Sequence, residues 1–98
     1  MSNKIIKFSA DWCGPCKVLK PAFEEFAGTI TDPSIEVIRI DVDEHRDLAA
    51  SYDVRSVPQI LFIKDDQVHR KVVGLRSAEQ LQKEYNEVYK EVSDTQSK

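Results

Sequence analysis

The sequence predicts a single α/β domain with the element order β-α-β-α-β-β-α and a four-stranded mixed sheet. Two observations favour this fold. A strand, a helix and a second strand follow one another at the spacing that a parallel crossover unit needs. Two later strands are joined by a short polar turn, which favours an antiparallel hairpin. A parallel and an antiparallel connection together make the sheet mixed.

The first strand and helix flank the two cysteines of the chain. The strand Ile5–Phe8 is an apolar run fit for burial on both faces except at Lys7. In the helix, apolar residues recur at spacings of three and four, which is typical of one buried face. Pro21 interrupts this pattern and predicts a kink. The apolar positions are Leu19, Ala22, Phe23, Phe26, Ala27 and Ile30.

The second strand is predicted at Ile35–Val42 from its β-branched residues. Asp43 follows it and is suited to cap a short helix over roughly 44–51. In that helix, Leu48 and Tyr52 would face inward.

The hairpin and the last helix complete the predicted fold. Gln59–Ile63 and Val68–Val73 read as strands joined by the turn at 64–67. At the helix start, Ser77 and Gln80 have the spacing of a capping box. The apolar stripe of this helix consists of Ala78, Leu81, Tyr85, Val88 and Val92.

The whole-chain composition fits one small domain at 1–92 followed by a polar tail at 93–98, which we expect to fray. A net charge of −3 provides no basic surface, so no nucleic-acid partner is expected. No apolar run has the length of a signal peptide or a membrane span. We therefore expect a cytoplasmic monomer without membrane contact.

The stretch Trp12–Cys16 carries the chemistry-bearing residues. A sulfur at a helix start lies near unpaired N–H groups and the positive end of the helix dipole, which makes Cys13 the candidate nucleophile. Cys16, one turn later, would resolve a mixed disulfide on Cys13. Gly14 leaves room for another backbone and Pro15 fixes φ in the first turn, so both would tune the redox pair.

A metal site is the main alternative for the cysteine pair. Zinc generally needs four ligands, and the histidines of the chain, His45 and His69, are far apart in sequence and lie on different predicted elements. We expect no metal and solvent-facing histidines. A pair of inert buried thiols also stays open, although Gly-Pro between cysteines has little packing rationale.

The stretch Trp12–Cys16 resembles the active-site signature of the thioredoxin family. Val57-Pro58 is similar to the family loop that holds a cis proline facing the cysteines, and Val73-Gly74 is similar to the small-residue wall beside it. The resemblance implies a thioredoxin-like fold and a protein-disulfide reductase with a redox-active Cys13–Cys16 disulfide. The implied substrate-binding residues are Trp12, Val57, Pro58, Val73 and Gly74.

The same resemblance implies the partners of the reaction. Substrates would be disulfide-containing proteins, and electrons would come from NADPH through a separate flavoprotein, thioredoxin reductase. We expect no bound cofactor, because the chain has no nucleotide-binding glycine motif. The implied roles are electron transport and cell redox homeostasis.

The sequence departs from the family pattern in two ways. Many members begin with an extra strand and helix, so we expect a trimmed sheet with Ile35–Val42 at an edge, where Glu36, Arg39 and Asp41 would discourage pairing. The second departure is Lys7, where many members carry a buried aspartate that helps to take the proton from the resolving thiol.

Several hypotheses for Lys7 stay open. Its ammonium would favour thiolates nearby, whereas burial would favour a neutral amine able to accept a proton. The side chain could also reach solvent past the sheet end and do nothing. Arg39 adds a second cation on the neighbouring strand, and Asp41 or Asp43 would supply the missing negative charge.

Two other functions remain as alternatives. One is a thiol oxidase or a reductase fed by glutathione. The other is a non-catalytic binding or scaffold subunit, which would keep its function without the cysteines, whereas a reductase would lose it.

Overall fold

The computed structural model describes residues 2–90. The predicted element order is confirmed. The elements are β1 (Asn3–Ser9), α1 (Gly14–Ala27), β2 (Ile35–Asp41), α2 (Arg46–Ser51), β3 (Gln59–Lys64), β4 (Gln67–Val73) and α3 (Ala78–Tyr89). Val92 and the expected polar tail at 93–98 lie outside the described residues.

The four strands form one mixed sheet in the order β2-β1-β3-β4. β1 runs parallel to β2 and antiparallel to β3, and β3 pairs antiparallel with β4. The predicted crossover unit, the hairpin and the edge position of β2 are therefore confirmed. The central position of β1 brings the cysteine loop, which follows this strand, to the middle of one sheet end.

Each face of the sheet packs against helices. On one face, α1 and α3 cover a core that includes Phe23, Phe26, Phe62, Leu81 and Tyr85. On the other face, a smaller core contains Ile6, Phe8, Leu61, Ile63 and Ala49 of α2. β1 and β3 contribute to both cores because successive side chains of a strand point to opposite faces. This explains their nearly continuous apolar sequences.

The helix ends follow the sequence closely in α3 and less closely in α2. The Ser77 hydroxyl accepts from the Gln80 N–H at 3.0 Å, and the Gln80 side chain accepts from the Ser77 N–H at 2.9 Å, so the capping box is confirmed. α1 continues through Pro21 as one helix, and a kink there stays a prediction.

The predicted details of α2 are partly wrong. The helix begins at Arg46, after His45, and Asp43 does not cap it because its carboxylate bonds to a side chain of another segment. The helix also presents a different face to the sheet from the one predicted. Leu48 is exposed and Ala49 is buried instead, while Tyr52 packs inward against Phe8 as expected.

Candidate functional site: the cysteine pair at the start of α1

The two cysteines form a disulfide at the junction of β1 and α1. Cys13 is the N-cap residue of α1, and its Sγ accepts a hydrogen bond of 3.1 Å from the backbone N–H of Cys16. Pro15 occupies the first turn, where its missing N–H costs no helical hydrogen bond. The geometry places one sulfur where the helix N-terminus stabilises negative charge.

Both sulfurs are shielded by neighbouring residues. Cys13 and Cys16 are each only a few per cent exposed, and Val42 and Val57 pack against them. The Val57–Pro58 peptide bond is cis, which confirms the expectation from the family resemblance. The Sγ of Cys13 lies 3.7 Å from the Val57 carbonyl oxygen, so the cis-proline loop faces the first cysteine directly.

The segment around Gly74 completes this side of the site. The Gly74 N–H donates to the Pro58 carbonyl oxygen at 3.0 Å, and Gly74 has a φ of +92°, a conformation that side-chain-bearing residues rarely adopt. Val73, at the end of β4, is half exposed. The structure thus brings the predicted wall at 73–74 to the cis-proline loop.

Trp12 lies on the surface beside the disulfide, with 70% of the residue exposed. Its indole Nε1 donates to the Asp43 carboxylate at 2.8 Å. A shallow groove of about 110 Å³ runs next to it. The groove is lined by Trp12, Val42, Val54, Arg55, Ser56 and Val57.

The contact of Asp43 with Trp12 and the groove residues at 54–56 were not predicted from the sequence. Asp43 could have been found, because the carboxyl ends of parallel strands meet at one edge of a sheet. Asp43 follows β2 as Trp12 follows β1. The residues at 54–56 carry no comparable signal, since only the tertiary fold brings them next to Trp12.

Lys7 is buried, with only 5% of the residue exposed, so the hypothesis that it reaches solvent is wrong. It pairs in register with Arg39 of β2 and lines a cavity of about 460 Å³ together with Cys16. The nearby negative charge comes from Glu24, which forms a bidentate ion pair with Arg39 at 2.6 and 2.7 Å.

The expectation that Asp41 or Asp43 balances the charge of Lys7 is therefore wrong. Burial lowers the pKa of Lys7, Glu24 opposes this effect, and Arg39 and Lys20 add to it. In turn, the hydrogen bond from Arg39 lowers the pKa of Glu24. Glu24 of α1 thus supplies the negative charge that acts on Lys7.

Two other features bear on the kind of site. Within residues 2–90, no cluster of three or more histidine, cysteine or acidic side chains is arranged to hold a metal ion. His45 and His69 are exposed, as expected. Among the described residues, no helix has the length and apolar character needed to cross a membrane.

Known proteins resemble this chain in sequence and in fold. The family model described as Thioredoxin matches residues 1–87. Thioredoxin of Staphylococcus epidermidis is 42% identical over 78 residues, which cover 80% of this chain and 74% of that protein. The mitochondrial thioredoxin of Mus musculus is 38% identical over 78 residues, 80% of this chain and 46% of that one.

Solved structures show the same likeness. A mutant thioredoxin from Halobacterium salinarum NRC-1 superposes with a TM-score of 0.77 at 36% identity, covering 88% of this chain and 74% of that chain. With a redox loop at the sheet end and a cis proline facing it, the chain belongs to the thioredoxin family. It is a thiol-disulfide oxidoreductase that reduces protein disulfides and requires no bound cofactor.

Proposed function

We propose that Cys13 is the nucleophile and Cys16 the resolving thiol of this oxidoreductase. The observation that carries this proposal is the position of Cys13 at the N-cap of α1, with the Cys16 N–H donating to its sulfur. The same donor and the helix dipole would stabilise a Cys13 thiolate in the reduced protein. Cys16 has no such position, since it lies within the helix.

The reaction then proceeds in two exchanges. The Cys13 thiolate attacks one sulfur of the substrate disulfide, forms a mixed disulfide and releases the other sulfur as a thiolate. Cys16 loses its proton to solvent and attacks the Sγ of Cys13. The Cys13–Cys16 bond forms, and the second substrate sulfur leaves as a thiolate that takes a proton from water. The dithiol loses two electrons and the substrate gains them.

The substrate is proposed to lie across Trp12, Val57, Pro58, Val73 and Gly74. This surface combines an exposed indole with a groove and with the half-exposed end of β4. An extended peptide could add backbone hydrogen bonds there in the manner of an extra strand. A Cβ on Gly14 would meet no atom within 4 Å, so this side of the disulfide is open to such an approach.

The dithiol must be regenerated by an electron donor. Members of the thioredoxin family work with disulfide-containing proteins and a reductase. We propose NADPH as the electron source, delivered through a separate flavoprotein reductase, and a cytoplasmic monomer that binds neither nucleic acid nor membrane. A net charge of −3 supports the absence of a nucleic-acid partner.

The test is a trapping experiment with insulin as substrate. Cys16→Ser should accumulate a covalent mixed disulfide on Cys13, whereas Cys13→Ser should form none, and both should lose turnover driven by NADPH and thioredoxin reductase. A trap on Cys16 in the Cys13→Ser protein would reverse the two roles. Turnover with dithiothreitol but not with the reductase would overturn the proposed electron source alone.

A further inference from the structure

Lys7 is a buried cation for which the structure offers no counter-ion within bonding distance. Over residues 2–90, its ammonium makes neither a hydrogen bond nor an ion pair, although the residue is only 5% exposed. Its Nζ lies 5.0 Å from the centroid of the Phe23 ring, a cation–π distance. Burying an ammonium without a carboxylate partner is costly. A methionine in its place would avoid that cost.

Lys7 shares its cavity with Cys16. Across from it, Glu24 is engaged by Arg39 in a bidentate pair, so these two charges largely offset each other. The other charged or titratable residues that line the cavity are Asp11, Lys17, Lys20, Asp41, Glu44 and His45. On the other side, β3 presents Ile60, which is apolar, as the register partner of Lys7.

We propose that the buried ammonium of Lys7 is the counter-ion of the Cys16 thiolate, and that Lys7 is thereby a positioning residue for the second thiol exchange. This inference rests on the proposed role of Cys16 as the resolving thiol. In the oxidised protein, Cys16 is bound to Cys13 and carries no charge, so it offers Lys7 no counter-ion. Reduction and ionisation of Cys16 create that counter-ion inside the same cavity.

The charge of Lys7 acts on one step only. Cys16 loses its proton to water, and the resulting thiolate is stabilised by attraction to the ammonium. The thiolate then attacks the Sγ of Cys13 and expels the substrate thiolate. Lys7 forms and breaks no covalent bond. This effect differs from that of a carboxylate. A cation stabilises the thiolate by attraction, whereas a carboxylate accepts the proton of the thiol.

Linkage requires the reverse effect as well. If Lys7 favours the Cys16 thiolate, the thiolate must favour the charged form of Lys7 by the same factor. The reduced protein should therefore hold the Lys7 proton more tightly than the oxidised protein. In the oxidised protein, burial already lowers the pKa of Lys7.

The first measurement isolates Cys16. In a Cys13→Ser background, Cys16 is the remaining thiol of the chain, and its thiolate absorbance can be titrated with pH. Adding Lys7→Met should move the titration midpoint upward and reduce the thiolate fraction at neutral pH roughly tenfold. Lys71→Met is the matched control, because Lys71 is exposed on β4 outside the cavity. It should leave the midpoint in place.

The second measurement separates this inference from the proposed function. Reduced wild-type protein, in excess, attacks the chromogenic aromatic disulfide dithiobis-nitrobenzoate. One aryl thiolate is released when Cys13 reacts, and a second is released when Cys16 resolves the mixed disulfide. Lys7→Met should slow the second release about tenfold at neutral pH and leave the first within about twofold. If Cys16→Ser abolished the first release, the assignment of the two cysteines would fail instead.

A third readout is the reduction potential. Loss of a cation that stabilises the reduced state should make the Lys7→Met couple more reducing, by up to about 30 mV for each tenfold change, over the pH range in which Cys16 ionises. Lys7→Gln, which keeps a polar side chain, should behave like Lys7→Met if the charge matters. The inference is overturned if folded Lys7→Met and Lys7→Gln proteins match wild type in the Cys16 titration and in the second release.

Discussion

The indole Nε1 of Trp12 donates a hydrogen bond of 2.8 Å to the carboxylate of Asp43, two residues beyond the end of β2. This bond joins the ends of two adjacent parallel strands across the sheet end that carries the disulfide. An exposed tryptophan side chain would otherwise rotate freely. The bond therefore holds the indole at the edge of the groove proposed for substrate.

Asp43→Ala should reduce kcat/KM for insulin about threefold to tenfold, because the indole loses a charge-assisted hydrogen bond worth roughly 1 kcal/mol at an exposed site. The effect should appear mainly in KM. Asp43→Asn keeps an acceptor oxygen and should retain most of the activity. Glu36→Ala removes an exposed carboxylate of β2 and is the control. Unchanged KM in Asp43→Ala would show that the indole needs no anchor.

Lys7→Met should raise the free energy of unfolding at neutral pH by about 1 to 3 kcal/mol, because it removes a buried charge that lacks an ion-pair partner within the described residues. Burial lowers the pKa of Lys7 from 10.5, so wild-type Lys7 becomes neutral in the folded state before it does in the unfolded state. Wild-type stability therefore rises with pH between these two pKa values, and the advantage of the variant should shrink there. Urea unfolding at several pH values measures the stability difference between variant and wild type and its change with pH. A destabilised variant at neutral pH would contradict the prediction.

Glu24→Gln should make the free energy of unfolding depend less on pH in the acid range. Arg39 lowers the pKa of Glu24 from 4.5, so the unfolded chain binds more protons than the folded chain below that value. The stabilisation from this pair is complete above pH 4.5 and is lost as the pH falls through the folded pKa. Since both side chains are partly exposed, it should be below about 1 kcal/mol. Glu25→Gln, on the exposed side of α1, is the control and should leave the acid side unchanged.

Gly74→Ala should lower the free energy of unfolding by about 1 to 2 kcal/mol, because alanine is strained at a φ of +92°. The cost is conformational, since a Cβ there would contact no atom within 4 Å. Gly14→Ala also meets open space but without a positive φ, and should change stability little. Equal losses in the two variants, measured by urea unfolding, would refute a backbone origin.

Tyr89→Phe should cost about 1 to 2 kcal/mol of stability. The Tyr89 hydroxyl lies 2.8 Å from the Lys4 carbonyl oxygen and 2.7 Å from that of Ile63, so it ties the end of α3 to β1 and β3. Burial raises the pKa of Tyr89, which keeps the hydroxyl protonated as a donor. Tyr85→Phe is the matched control, because Tyr85 packs in the same core by its ring. A larger loss in the control would contradict this role.

Local patterns were sufficient for much of this protein. Apolar spacing, β-branched runs and turn residues together located the helices and strands, because these signals follow local backbone geometry, although α2 begins later than predicted. The capping box at Ser77 and the thiol pair at Cys13 and Cys16 depend on neighbours within a few residues. The cis peptide at Pro58 was predicted by family resemblance, since nothing in the local sequence specifies it.

The start of α2 and the acidic residue near Lys7 were not predicted correctly, whereas Arg39 was correctly placed as a second cation beside Lys7. Both errors depend on contacts between distant segments. Asp43 bonds to Trp12 instead of capping α2, and Glu24 of α1 reaches Arg39 of β2 above Lys7. By itself, the sequence determined the chemistry: two thiols at a helix start. The tertiary structure alone decided the surroundings of these thiols, namely which wall faces Cys13 and which charge lies in the cavity of Cys16. Charges and surfaces act through space, and the distances between them are set only when the chain has folded.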